Sequence, residues 1–131
     1  MSDENGVKAE QTRTSIAFRE MLAAYAASRP PQSSCISPTT LQGFEHWALV
    51  GVPAGEFVMA VLCNDLFTAV SRADDNNQAH LAEVCMYIYN RLPRNCYGSP
   101  EAVAEWAKRG GLMCYDRKTA IAAQLKPQLP H

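Results

Sequence analysis

The side chains able to do chemistry are few and scattered. Five cysteines, Cys35, Cys63, Cys85, Cys96 and Cys114, stand 28, 22, 11 and 18 residues apart, and the three histidines are His46, His80 and His131. The cysteine number is odd, no CxxC pair occurs and no histidine neighbours a cysteine, so the spacing fits neither a disulfide framework nor a zinc site. The thiols read as reduced, mostly small core residues. A Cys or Ser nucleophile needs a base within hydrogen-bond reach and a third group to orient it. His46 beside Trp47 reads as a helix-surface or interface residue, His80 falls on a polar helix face and His131 is terminal, so nothing resembles a triad. No catalytic residue, metal ligand or cofactor is therefore assigned.

The carboxylates Asp65, Asp74 and Asp75 lie close in sequence, where metal or acid–base work can be imagined. Helix capping explains them with less, because such residues satisfy the free N–H groups at helix starts. No Gly-rich phosphate loop, HExxH or EF-hand spacing is present. A better candidate is the polar and aromatic set around two connections, Arg72 and Asn76 in one, and Asn90, Arg94, Asn95, Tyr97 and Ser99 in or beside the other. Asn and Tyr give directional hydrogen bonds, Tyr adds contact area at low entropy, and Arg pairs with carboxylate or phosphate. Arg72, Asn76, Asn90, Arg94, Asn95 and Tyr97 are thus the expected partner- or ligand-binding residues. The same residue types also populate turns for backbone reasons alone.

Helices must position these groups. Phe18, Met21, Leu22 and Tyr25 recur at helical spacing over about Ser15–Ala27, ended by Arg29-Pro30-Pro31. A Pro/Ser connector runs to Ile36. Ser37-Pro38 then starts a helix with Leu41, Phe44 and Ala48 inward and Trp47 a further candidate for that side, and Gly51 terminates it. After Val52-Pro53-Ala54-Gly55 the stripe Val58, Val61, Leu62, Leu66, Ala69, Val70 is interrupted by Asp65, which predicts a break with Asn64 or Asp65 capping a second short helix to about Arg72. Asp75 with Gln78 makes a capping-box pattern that opens a helix to Leu92, with Leu81, Val84, Cys85 and Ile88 on one side and His80, Glu83, Tyr87 and Asn90 on the other. Ser99-Pro100 opens another, with Val103 and Trp106 inward and Gly110-Gly111 at its end. Asp116–Leu125 can add a short helix. The expectation is an all-α fold: a compact bundle of five or six short helices over 15–112, a flexible tail over 1–14 and a weakly ordered tail over 113–131.

At 131 residues with 47% hydrophobic side chains, the chain suits one domain with a real core. Twelve basic against thirteen acidic residues, and five against eight between Pro38 and Leu112, lack the basic stripe of a nucleic-acid binder. Apolar runs too short to span a bilayer and a polar start imply no membrane and a cytoplasmic setting. Trp47, Tyr87, Met59 and Met86 exceed what a small core hides, which predicts a homodimer or higher homo-oligomer.

From Gly51 to Leu112 the chain carries Pro53-x-Gly55-x-Phe57, Asn64-Asp65-Leu66, Arg72-Ala73-Asp74, Tyr89-Asn90 and Gly98-Ser99-Pro100-Glu101 in order. This series resembles a widespread group of short phage and prophage proteins without an assigned activity. The resemblance implies a non-enzymatic role in a bacterial host cell, with three readings. The first is host takeover or anti-defence by binding a bacterial protein complex. The second is an oligomeric sponge for a nucleotide immune signal, and the third an accessory or structural phage protein. A sponge calls for a pocket lined by Arg and aromatic groups, and a protein inhibitor for a broad exposed patch.

Overall fold

A computed structural model of the chain describes residues 16–114, and the expected 1–14 tail and Asp116–Leu125 helix lie outside them. The described residues are all-α. Helix α1 covers 16–27, α2 Pro38–Val50, α3 Glu56–Leu62, α4 Leu66–Arg72, α5 Asp75–Ala79, α6 Leu81–Arg91 and α7 Pro100–Arg109, with 3-10 turns at Pro31–Cys35 and Arg94–Cys96. None of these helices is long and apolar enough to cross a membrane.

The caps fall largely where side-chain chemistry puts them. Ser37 and Ser99 accept from the N–H groups of Thr40 and Ala102, each with proline in the first turn, and Gly51 and Gly110 close α2 and α7 in left-handed conformation. Asn64 turns the chain at φ 62°, and Asp65 Oδ1 accepts from Thr68 N at 3.2 Å, so the apolar stripe breaks into α3 and α4 as expected. The next cap is Asp74, not Asp75: Asp74 Oδ1 accepts from Asn77 N at 2.7 Å, and Asp75 is the first helical residue. The expected Asn76–Leu92 helix is two helices, because His80 leaves the helical well at φ −120°, ψ 28°. That corner turns α5 toward the connector, where Asn77 is buried against Thr40 and Asn76 reaches the Cys35 carbonyl.

Phe44, Trp47, Leu62 and Val84 are fully buried at the centre of the core, closed by Ile88, Val103 and Trp106. Tyr87, expected on a polar face, is a core residue, and Trp47, open between the apolar side of α2 and a self-association surface, takes the apolar side. Trp47 goes inside because its Nε1 donates to the Cys96 carbonyl at 2.9 Å, while Trp106 Nε1 donates to the Trp47 carbonyl at 2.8 Å. Tyr87 packs on Phe44 with ring centroids 5.8 Å apart. The thiols divide differently from expectation: Cys96 alone is buried, Cys35 and Cys63 are half-buried, and Cys85 and Cys114 are exposed.

Two polar seams fasten the periphery. Arg29 forks onto Glu45 with N···O distances of 2.8 and 2.6 Å, and the Glu45 side chain is fully buried. Arg91 lies 4.4 Å over the Tyr25 ring, donates to the carbonyls of Tyr25 and Ser28, and accepts from the Tyr25 hydroxyl through its own carbonyl at 3.0 Å. At the other end Leu112 N and Met113 N donate to the carbonyls of Ala48 and Leu49, both at 2.9 Å. Gly111 makes that approach feasible, since a Cβ there would sit 2.5 Å from the Leu49 and Val50 backbone.

Candidate functional site

An open groove of about 1020 Å³ runs between α2, the 52–58 segment and the α4–α5 connection. Its floor is Thr40, Gly43 and Val58, and its lips carry His46, Glu56, Arg72 and Asp74. Gly43 sets its depth, because a Cβ there would touch Ala54 Cβ at 3.2 Å. Arg72 Nε lies 3.0 Å from Glu56 Oε2 with both side chains more than half exposed, a lip-to-lip contact worth little in stability. His46 is turned toward α1, edge-on to Phe18 at 5.3 Å.

The six expected binding residues do not converge on this groove: of them only Arg72 lines it. Asn76 is exposed, and its amide Nδ2 donates to the Cys35 carbonyl at 3.2 Å, which gives it a positioning role. Asn90, Arg94 and Asn95 are exposed at the end of α6 and on the following 3-10 turn. Tyr97 is half-buried with its ring against the core. The loop that carries them is held from inside: Cys96 is buried, its carbonyl accepts the Trp47 indole, and Gly98 N donates to the Leu62 carbonyl at 2.8 Å. Burial pushes the Cys96 thiol up to about 12, so it stays protonated and inert as a nucleophile.

Two features escape a reading by residue type. The first is the outward face of α4. Phe67 is 87% exposed, Leu66 59% and Val70 41%, while only Ala69 of this helix is buried. Spacings of three and four residues set the three side chains side by side. Residues 51–79 carry Glu56, Asp65, Asp74 and Asp75 against the single cation Arg72, so the segment that presents this apolar face is net acidic. A sequence signal existed: once Asp65 splits the stripe, a seven-residue α4 has room to bury one side only. The second is a group of three possible metal ligands, Cys35, His80 and Glu83, whose donor atoms all lie within 4.8 Å of one another. Cys35 and His80 are 45 residues apart, so no local spacing announces them.

Fold and surface together define a small helical domain with an apolar helix face, a shallow groove and a tightly held loop. No protein-family model, no curated protein and no solved structure matches this chain.

Proposed function

We propose that this chain is a non-enzymatic binding domain that docks the α4 face, Leu66, Phe67 and Val70, onto a bacterial host protein, as a phage host-takeover or anti-defence factor does. The observation that carries the reading is Phe67. A phenylalanine exposed to 87% in a chain that otherwise fills its core is surplus to folding, and contiguous exposed apolar side chains mark interaction sites. The partner's surface in this reading is an apolar pocket with basic groups beside it, complementary to the net acidic 51–79 segment. A second copy of this chain is a poorer occupant, because it would present the same net acidic 51–79 segment to a segment of like charge. Self-association also loses its main support, since Trp47 and Tyr87 are core residues. The sponge reading is weaker because, among the described residues, the groove is lined by a single arginine and no exposed Phe, Tyr or Trp.

The test places a photo-crosslinking amino acid at Val70 in cells of a bacterial host and identifies the adduct by mass spectrometry. The purified partner is then titrated against wild type, Phe67→Ala and Arg94→Ala. Phe67→Ala is expected to weaken binding by at least ~30-fold, the range of an interface anchor. Arg94→Ala is expected to stay within threefold. Unchanged affinity in Phe67→Ala, or a large loss in Arg94→Ala, moves the active surface to the Asn90–Ser99 segment.

A further inference from the structure

We propose that Cys35, His80 and Glu83 form a three-ligand zinc site that clasps the connector between α1 and α2 to the start of α6. Each ligand is placed by backbone that is itself held. Cys35 ends the 3-10 turn Pro31–Cys35, fixed on one side by the buried Ile36, whose N–H bonds the Ser33 carbonyl at 3.0 Å, and on the other by the Asn76 amide on its own carbonyl. His80 stands at the corner between α5 and α6, and Glu83 one turn later on the same side, with Nδ1 and Oε2 3.8 Å apart. The helical break at His80 thus gains a purpose: a helix running straight through it would carry Asn76 and His80 away from the connector.

The donor set selects the ion. A thiolate, an imidazole and a carboxylate suit zinc, whereas magnesium and calcium take oxygen ligands alone. Zinc bonds of about 2.0 to 2.3 Å in a tetrahedron place donor atoms roughly 3.3 to 3.8 Å apart. The His80–Glu83 separation of 3.8 Å lies roughly 0.4 Å beyond the span of a nitrogen–oxygen pair, and the upper limit of 4.8 Å for the set leaves the thiol a closure onto them of roughly 1 Å at most. Rotation about the side-chain bonds of half-exposed His80 and Glu83 can supply it. On binding, the Cys35 S–H bond breaks, its proton passes to solvent and an S–Zn bond forms, with no change of oxidation state. Three protein ligands leave the fourth tetrahedral position to water, on the solvent side.

The test uses the full chain, reduced and metal-free. Titration with Co²⁺ is expected to raise a thiolate-to-cobalt charge-transfer band that saturates at one equivalent and is displaced by Zn²⁺. Cys35→Ser should abolish the band, His80→Ala and Glu83→Gln should weaken binding at least ~10-fold, and Cys85→Ser and Cys114→Ser should leave it unchanged. Zinc at ~100-fold above its Kd should shift the folding equilibrium ~100-fold toward the native state in wild type, and not in Cys35→Ser. Urea unfolding of each metal-free variant reports its fold. A band that survives Cys35→Ser, full-affinity binding by His80→Ala, or a wild type that binds no metal overturns the proposal. Should Cys35→Ser fail to fold, the His80→Ala result decides.

Discussion

Replacing Arg29 by methionine would leave the Glu45 carboxylate inside the protein without its counter-charge. The pair is bidentate at 2.8 and 2.6 Å, the Glu45 side chain has no exposure and that of Arg29 a quarter. Breaking a buried pair from one side costs ~3 to 5 kcal/mol, mostly the penalty of the charge left behind. The solvent reaching Arg29 favours the lower end, about 3 kcal/mol, which for a domain of this size corresponds to a fall in Tm of ~10 to 20 °C. Urea unfolding followed by circular dichroism measures it as a lower midpoint at constant slope. Replacing both partners, Arg29→Met with Glu45→Met, should recover most of the loss, because a hydrophobic pair of similar volume leaves no charge to desolvate. If Arg29→Met costs under ~1 kcal/mol, or if the double variant is no better than the single one, the seam does not hold α1 in the way described.

Three further outcomes follow from the same geometry. Asp65→Ala should cost about 1 kcal/mol in chemical denaturation and Asp65→Asn much less, since the side chain acts as a cap on Thr68 N–H. Gly111→Ala should destabilise by more than ~3 kcal/mol, because its Cβ would meet the Leu49 and Val50 backbone at 2.5 Å and φ is +73°; a mild effect by the same assay would mean that the return of 110–114 onto α2 is soft. Alkali should unfold the protein progressively. The Cys96 thiol titrates near 9 when unfolded and at about 12 when buried, so the unfolded chain holds fewer protons between these values and stability falls as pH rises, by up to ~1.4 kcal/mol per unit. Burial also raises Tyr25 and Tyr87 above 10, which steepens the upper part of the decline. Stability that stays flat from pH 9 to 11, or a Cys96→Ala variant with the same slope, would contradict it.

Local chemistry was legible and long-range chemistry was not. Ser37, Asp65, Ser99, Gly51 and Gly110 act on backbone groups within four residues, and a sequence displays such relations directly. Asp74 against Asp75 was ambiguous because either can cap, and tertiary placement of Asn77 against Thr40 decided it. Glu45 could not be read as a core residue, since the partner that makes its burial tolerable lies across the Pro/Ser connector. Tyr87 was misplaced and Trp47 left between two surroundings because an amphipathic side chain goes wherever its polar atom or its ring finds company, and the Cys96 carbonyl is 49 residues from Trp47. The α4 patch has the opposite character: among the described residues nothing covers it, and only the packed structure shows which apolar side chains are left over.

The serial hydrogen bonding of Trp106 to Trp47 and Trp47 to Cys96 has an optical consequence. These are the chain's two tryptophans, both sealed in the core with their indole N–H groups on backbone carbonyls. Their emission should be blue-shifted in the native protein and move to the red only when the core opens. A macromolecule seated on α4 touches neither ring, so intrinsic fluorescence follows unfolding while remaining silent to association. Loss of structure and loss of recognition can therefore be separated in one cuvette, with a label near α4 reporting the second.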